Sequence, residues 1–439
     1  MSVYEEVHRP RFHFTARENW INDPNGLVYF EGVWHLFFQH NPDATVWGNM
    51  TWGHAVSKDL IHWRQTEHAL LPDEHGTMFS GSAVVDWNGS AGYGEQTLLV
   101  FYTAAGGHVY PQRRDTQCLA YSIDGGDTWL KHASNPTIDW YEANNRDPKV
   151  IWHEPSHQWI MALYLAEDRY CLLKSSDAKN WSRFQDLTLP GDSECPDFFP
   201  LQDSAGVERW VFWGASGLYT VGSFDGESYR AETEVLTCER GTNGYAAQTY
   251  SDTPCGRRIQ ISWMARGQYP EMPFNQQMSV PVTLSLKGAG DDVVLTRWPI
   301  AELETLRQRQ VEHAKETLEP GDRFAPNCGG SLFDLNFEVV DCKDQLLNLL
   351  IRGKSMVFAF EDGVIRFNEK AVPLPSGNIS VRILIDRTSV ELFVNEGQIS
   401  ANFCFLPGAY EQPIVFHSPA HRIQIKDLEV HELRGIWPN

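Results

Sequence analysis

Three acidic residues stand in polar clusters, each followed by residues typical of a buried strand. They are Asp23 in Trp20-Ile-Asn-Asp-Pro-Asn-Gly26, Asp147 in Asn145-Arg-Asp-Pro-Lys149 and Glu194 in Ser193-Glu-Cys-Pro-Asp197. Hydrolysis of a glycosidic bond needs an ionised carboxyl group that attacks or supports the anomeric carbon, and a protonated one that donates to the leaving oxygen. A third acid can bind sugar hydroxyls. Although a lone Asp-Pro pair is more often a plain turn, three such acids together indicate glycosidase chemistry. Arg146, beside Asp147, is expected to lower the pKa of the Asp147 carboxyl group and to orient it.

A fourfold internal repeat predicts how these acids are positioned. A Ser-x-Asp turn is followed four or five residues later by an aromatic residue, in the sets Ser57/Asp59/Trp63, Ser122/Asp124/Trp129, Ser175/Asp177/Trp181 and Ser223/Asp225/Tyr229. The Asp would accept backbone N–H groups across the turn, and the ring would pack between neighbouring repeats. The intervals of about 50–65 residues are filled by short, often alternating apolar runs, which is typical of propeller blades with insertions.

The innermost strand of each blade lines the central channel of a propeller, so polar clusters that open these strands meet at one mouth of the channel. Besides the three acidic clusters, Phe79-Ser-Gly-Ser82 and Asn243-Gly-Tyr-Ala-Ala-Gln248 would open two further blades. Beyond them, Trp298–Arg307 reads as a helix, and alternating strands return. The sequence thus predicts an all-β protein with a five-bladed propeller over 1–297, a helical linker over 298–311 and a β-sandwich over 312–439.

Composition restricts the partners and the location. The 439 residues carry a formal charge of −21, which disfavours nucleic acid and anionic lipid as partners. The eight cysteines form no CxxC pair, no nucleotide-binding motif is present, and no His cluster has ligand spacing, so neither a metal nor a cofactor is expected. The first residues lack the basic and apolar regions of a signal peptide. This predicts a cytoplasmic protein, or a secreted one whose signal peptide is absent from this chain.

The clusters, in this order, resemble the signature blocks of glycoside hydrolase family 32, the β-fructosidases that include invertases, levanases and inulinases. The resemblance extends over most of the chain, to the segment 299–307 and to Asp386-Arg-Thr-Ser-Val-Glu-Leu-Phe-Val-Asn395. It implies a five-bladed propeller with a C-terminal β-sandwich, and hydrolysis of terminal β-D-fructofuranosides with retention of configuration.

The resemblance also implies a role for each matching residue. Asp23 corresponds to the nucleophile, Glu194 to the acid/base, and Asp147 to the transition-state stabiliser that holds fructose hydroxyls. The positions that correspond to substrate-binding residues are Asn22, Gln39, Trp47, Phe79, Ser80 and Arg146. In a retaining enzyme the carboxyl groups of Asp23 and Glu194 are expected about 5–5.5 Å apart.

The predicted substrate is a carbohydrate, and several alternatives stay open. The segments 79–87 and 117–129 are more similar to exo-acting levanases and inulinases than to bacterial sucrose hydrolases, which favours release of fructose from inulin, levan, fructooligosaccharides and sucrose. The alternatives are a sucrose-preferring invertase, a fructosyltransferase, an inverting five-bladed arabinan or xylan hydrolase, and a fructan-binding propeller without activity. The segments 243–248 and 265–277 depart from the family pattern, so the accepted chain length stays open. The choice between exo and endo cleavage and the oligomeric state stay open as well.

Overall fold

The structure is a computed structural model that describes residues 3–340 and 345–437. Five antiparallel sheets form the N-terminal part, and two six-stranded sheets form the C-terminal part. The first strands of the five N-terminal sheets contact one another in a closed ring, since the first strand of blade 1 touches those of blades 2 and 5. The predicted all-β fold, a five-bladed propeller followed by a β-sandwich, is confirmed.

The four main strands of each blade follow one another in the chain, from the channel outward. In blades 1 to 3 they are Asn19–Phe30, Val33–Asn41, Thr51–Ser57 and Arg64–Gln65; Thr77–Asp86, Thr97–Ala105, Thr116–Ser122 and Leu130–Lys131; and Arg146–His153, Gln158–Ala166, Arg169–Ser175 and Ser182–Thr188. In blades 4 and 5 they are Asp197–Gln202, Glu208–Trp213, Leu218–Phe224 and Tyr229–Ala231; and Gly244–Thr249, Arg258–Met264, Val282–Lys287 and Val294–Pro299. Leu236–Thr237 joins blade 4, and Phe274–Asn275 pairs in parallel with the start of blade 1.

The repeated turns have the predicted structure. Asp59 Oδ1 accepts the backbone N–H groups of Ile61 and His62, and Asp177 and Asp225 make equivalent bonds. In two repeats the aromatic ring packs edge-on against a neighbouring blade: Trp129 of blade 2 against Phe37 of blade 1, and Trp181 of blade 3 against Phe101 of blade 2. The other two rings pack elsewhere, Trp63 against Phe14 before blade 1 and Tyr229 against Phe198 within its own blade.

The segment predicted as a helical linker is different in the structure. Residues up to Pro299 complete blade 5, a 3-10 helix spans Ala301–Leu306, and Arg307 already begins a strand of the sandwich. Ile300, Leu303 and Leu306 are buried, as their pattern indicates. Their spacing of three residues fits the three residues per turn of a 3-10 helix, whose side chains at i and i+3 eclipse. The predicted end of the propeller at 297 lies two residues before the end of the last blade-5 strand, and the predicted start of the sandwich at 312 lies five residues after the start of its first strand.

The C-terminal part is a sandwich of two sheets around one apolar core. In hydrogen-bonded order the sheets are Arg307–Leu318, Ile423–Leu433, Phe333–Val340, Ile379–Ile385, Ser389–Val394 and Ile399–Cys404; and Arg323–Phe324, Ile414–His417, Leu346–Ile351, Lys354–Ala359, Val364–Phe367 and Lys370–Pro373. The remaining elements are the 3-10 helices Gly106–His108, Glu154–Ser156, Pro254–Gly256 and Gly290–Asp292. Within the described ranges, no helix has the length and apolarity needed to cross a membrane.

A buried ionic cluster joins the two domains. The ring nitrogens of His13 lie 2.8 Å from Asp386 Oδ2 and 2.7 Å from Glu391 Oε1, both in the sandwich. Burial lowers the pKa of His13, but the bonds and charges of the two carboxylates outweigh it and raise this pKa to about 9. Asp386 also accepts backbone N–H groups of Arg11 and Phe12, and its pKa is lowered. The block 386–395 thus has a structural role at the domain interface.

Replacement of His13 by Gln is expected to destabilise the protein by about 3–5 kcal/mol, since it leaves two buried carboxylates without a cation. His13 loses its proton near pH 6.5 when unfolded but near 9 when folded, so its contribution is complete below pH 6.5 and lost as the pH rises through 9. Denaturant unfolding should therefore show a difference in the free energy of unfolding between wild type and variant that disappears above pH 9. His421→Gln, at an exposed sandwich position, is the control; a gap independent of pH would contradict a charged His13.

Candidate active site

Four of the five innermost strands carry a β-bulge at the position of their polar cluster. The residues without a one-to-one partner are Asn22-Asp23, Ser80, Asp147-Pro148 and Ala246-Ala247 in blades 1, 2, 3 and 5. A bulge locally re-aims side chains and is frequent beside active sites. Asp147 has φ 62° and Glu194, just before the first strand of blade 4, has φ 59°, in the left-handed region that is unfavourable for non-glycine residues. Backbone irregularity therefore turns these side chains toward a common point.

All nine predicted site residues line one cavity of about 430 Å³ at the mouth of the channel. The cavity is lined by Asn22, Asp23, Gln39, Trp47, Phe79, Ser80, His108, Asp115, Asn144, Arg146, Asp147, Glu194, Tyr245 and Trp263. Sequence reasoning missed five of these: His108, Asp115, Asn144, Tyr245 and Trp263. Tyr245 stands in the cluster predicted to open the fifth blade, so its position was the signal that could have found it.

Asp23 lies at the floor of the cavity. Ser80 Oγ donates a hydrogen bond to its Oδ2 at 2.5 Å, and the Cys195 thiol lies 3.6 Å from the same oxygen. Burial raises the pKa of Asp23, the hydrogen bonds of Ser80 and Asn22 lower it, and the charge of Glu194 raises it further. Because the cavity itself admits water, the carboxylate keeps part of its solvation. It is held in one orientation and faces the cavity.

Asp147 is deeper and more enclosed. The Cys195 backbone N–H donates to its Oδ2 at 3.0 Å, and Arg146 Nε lies 3.7 Å from that oxygen. Burial raises the pKa of Asp147 to about 7, although the charge of Arg146 opposes it. The expectation that Arg146 sets a low pKa for Asp147 is thus wrong in its net direction, because desolvation of a nearly inaccessible carboxylate exceeds the attraction of a single guanidinium.

Glu194 lies nearer the mouth, with a third of its side chain exposed. Arg146 Nη2 donates to Oε1 at 2.6 Å and the Tyr245 hydroxyl donates to Oε2 at 2.8 Å. Arg146 is itself held by Asn144 O and by the face of Tyr164, whose centroid lies 4.7 Å from the guanidinium carbon. Arg146 therefore hydrogen-bonds Glu194 and forms a longer ion pair with Asp147. Because the Cys195 thiol contacts both Asp147 and Asp23, the three acids form one connected group.

Aromatic side chains border the acids on two sides. Trp47, Phe79 and His108 form one group, with ring centroids 5.4–6.0 Å apart. On the other side, Trp263 lies 6.2 Å from Tyr245 and 6.0 Å from Trp20. Flat apolar faces flanking a polar floor suit the C–H faces and hydroxyl groups of a sugar ring. The arrangement can hold a furanose or pyranose against a pair of carboxyl groups.

The two segments that depart from the family pattern have separate positions. Asn243 is buried against the sandwich, where Cys404 N–H donates to its Oδ1 at 2.8 Å. It does not line the cavity, whereas Tyr245 does. In the segment 265–277, Gln276 Oε1 accepts the indole N–H of Trp263 at 3.2 Å. These residues thus support the wall that carries Trp263, without contributing an acid.

Family profiles agree with this geometry. The model of the glycosyl hydrolases family 32 N-terminal domain matches residues 13–299, and that of the family 32 C terminal matches 302–432. The chain belongs to glycosyl hydrolase family 32. Within this family, the chain is 35% identical to a levanase of Bacillus subtilis, over 99% of the chain and 72% of the relative. It is 28% identical to an extracellular exo-inulinase of Aspergillus ficuum, over 99% and 96%.

A solved structure shows the same architecture. The fructofuranosidase from Schwanniomyces occidentalis complexed with fructosylnystose superposes with a TM-score of 0.87 at 26% identity, covering 99% of each chain. The predicted membership of family 32 is confirmed. Over residues 3–340 and 345–437, no group of three or more His, Cys, Asp or Glu is arranged to hold a metal ion.

Proposed function

We propose that this family 32 glycoside hydrolase is a retaining, exo-acting β-fructosidase. Its substrates are terminal β-D-fructofuranosides of inulin- or levan-type fructans, fructooligosaccharides and sucrose. The observation that supports this most is the convergence of Asp23, Asp147 and Glu194 in one cavity, with Arg146 and Tyr245 hydrogen-bonded to Glu194. The names of the levanase and exo-inulinase relatives and the fructosylnystose complex point to the same substrates.

In the proposed mechanism, Asp23 attacks the anomeric C2 of the terminal fructosyl unit while Glu194 protonates the leaving oxygen. The bond from C2 to the leaving oxygen breaks and a fructosyl ester of Asp23 forms. Glu194, now ionised, removes a proton from water, which attacks C2 and releases fructose and free Asp23. Arg146 and Tyr245 orient Glu194 for both steps.

Asp147 is proposed to bind the fructose hydroxyls. Its pKa of about 7 means that both protonation states are populated at neutral pH, so it can accept or donate hydrogen bonds to them. Ser80 holds Asp23 by a 2.5 Å hydrogen bond, which restricts the carboxylate to one rotamer. The aromatic residues Trp47 and Phe79 are proposed to contact the apolar face of the sugar.

The closed floor of the cavity supports exo cleavage. Below the acids, Lys149 Nζ lies 3.3 Å from Asp197 Oδ1 and donates to Thr249 O at 2.6 Å. These side chains come from the innermost strands of blades 3, 4 and 5 and are nearly inaccessible. A fructan chain therefore cannot thread through the channel, and a terminal unit that enters from the mouth reaches the acids without obstruction.

We propose that the protein is secreted, because its proposed substrates include polymers. Polymeric fructan does not cross a membrane, and the exo-inulinase relative is named extracellular. This favours secretion over the cytoplasmic location that the sequence also left open.

Parallel incubation with sucrose, inulin and levan tests the proposal. Fructose is expected as the first product from all three, without intermediate oligomers, and NMR at early times should show the β-anomer before mutarotation. Longer oligosaccharides would instead identify a transferase, activity on sucrose alone an invertase, and the α-anomer an inverting enzyme. A protein that binds fructan and releases no sugar would contradict the proposal as a whole.

A further inference from the structure

A second and larger cavity lies on the outer side of blade 1. This cavity, the blade-1 groove, has a volume of about 1000 Å³, against about 430 Å³ for the active-site cavity. Its walls come from the second and third strands of blade 1, the segment Lys58–His68, and the turn Gly125–Trp129 of blade 2. The outermost strand of blade 1, Arg64–Gln65, has only two residues, so the third strand is less covered than in blade 3. This leaves room for a ligand.

The groove and the active-site cavity lie close together. Gln39 lines the active-site cavity, whereas the next residue, His40, lines the groove, because successive side chains of a strand point to opposite faces. The loop after this strand separates the two openings, with Pro42 on the groove and Trp47 on the active-site cavity. A chain that leaves the active-site cavity over Trp47 needs to pass only this loop to reach the groove.

Unpartnered imidazole nitrogens occur in the wall of the groove. His35 is 1% exposed, its Nδ1 lies 3.0 Å from His54 Nε2, and its Nε2 has no hydrogen-bond partner. His68 Nε2, also in the wall, has none either. Both nitrogens are shielded from solvent, so the hydrogen bonds to a ligand in this groove must come from its exposed side chains, among them Lys58, Arg64 and Glu67. Burial lowers the pKa of His35 and that of His40 to about 4, so these rings are neutral at pH 7.

The charges of the groove do not select a charged ligand. Three cationic residues, Arg17, Lys58 and Arg64, face four carboxylates, Glu18, Asp59, Glu67 and Asp127, which leaves a net charge of only −1. The guanidinium groups donate hydrogen bonds and the carboxylates accept them, and the half-buried Trp129 adds an aromatic ring to the wall. Planar polar groups of mixed sign beside an indole ring suit an uncharged polyhydroxylated ligand.

We propose that the blade-1 groove is a second, non-catalytic saccharide site that binds a segment of fructan. The saccharide class follows from the groove itself, whereas the identification of that saccharide as fructan rests on the proposed function. Chains held in the groove stay close to the active-site cavity, which raises the effective concentration of their ends there. Short substrates such as sucrose gain nothing from this site.

Affinity electrophoresis in gels that contain levan or inulin tests the groove, with Asp23→Asn as the background so that the polymer is not degraded. The double change Arg64→Ala/Glu67→Ala removes two exposed groove side chains without altering the net charge. The matched control is Arg366→Ala/Asp362→Ala, an exposed ion pair of the sandwich. Loss of hydrogen bonds to the polymer is expected to weaken retardation by the groove variant about five- to tenfold and to leave the control variant unaffected.

The same double change in the wild-type background should leave kcat/KM for sucrose unaltered and lower kcat/KM for polymer. Retardation equal to that of the control, or no retardation of the Asp23→Asn protein at all, would overturn the proposed groove site. Either result leaves the proposed function standing if the wild type still releases fructose. Retardation through the groove without any hydrolysis by the wild type would overturn the proposed function instead.

Discussion

An Asp23→Asn variant is expected to fold normally and to lose kcat on sucrose by a factor on the order of 10⁴. The Asn side chain has the same shape and can still accept the hydrogen bond from Ser80, but its amide cannot form the fructosyl ester. The variant also removes a negative charge beside Glu194 and Asp147. In the wild type, the charges of Asp23 and Glu194 both contribute to the raised pKa of Asp147. We therefore expect its melting temperature to equal or exceed that of the wild type.

Initial rates on sucrose, together with circular dichroism melts, check this prediction. Asp225→Asn is the matched control, because Asp225 lies in an exposed turn of blade 4, outside the cavity. Activity of the Asp23 variant within tenfold of the wild type would contradict the proposed role of Asp23 as nucleophile. A large drop in melting temperature would show that the loss of activity reflects unfolding.

A Glu194→Gln variant is expected to lose about 10²–10⁴-fold in kcat, the usual contribution of a general acid/base. Gln can still accept one hydrogen bond from Arg146 or Tyr245, so the cavity should keep its shape, but it cannot protonate the leaving oxygen. The loss should therefore be large for sucrose and much smaller for a fructoside whose leaving group departs without protonation.

The second half of the reaction gives an independent measure of the same residue. Azide needs no general base, so it should accelerate turnover of the activated fructoside by the Glu194 variant and form fructosyl azide. It should not accelerate the Asp23 variant, which forms no ester. Equal losses on both substrates together with no effect of azide would exclude Glu194 as the acid/base and leave it a binding residue.

Some features of the fold were predictable because they depend on residues close together in the chain. The Ser-x-Asp turns are closed by local bonds, as at Asp59, and the strands between them follow the alternation of apolar residues. Ile300, Leu303 and Leu306 recur every three residues, which is also a local pattern, and all three are buried. The helix that contains two of them is a short 3-10 helix, because Pro299 ends a strand just before it and Arg307 pairs with Leu433 just after it.

The sequence predicted which residues form the candidate site, but it did not predict how their side chains are arranged. Each polar cluster opens an innermost strand, so the repeat alone indicates that Asp23, Asp147 and Glu194 meet at the channel mouth. The hydrogen bonds that Arg146 and Tyr245 donate to Glu194 depend on the β-bulges of the innermost strands, and no local sequence pattern predicts these bulges. The direction in which the pKa of Asp147 shifts likewise depends on how deeply the tertiary structure buries its carboxyl group.

The amino-acid sequence by itself determined the repeat, the fold class and the identity of the three acids, since turn chemistry, strand alternation and residue type are properties of short segments. Only the tertiary structure decided the partners of those acids, the closed floor under them and the blade-1 groove. These features arise where blades from distant parts of the chain are packed against one another. Distance, desolvation and enclosed volume exist only after that packing.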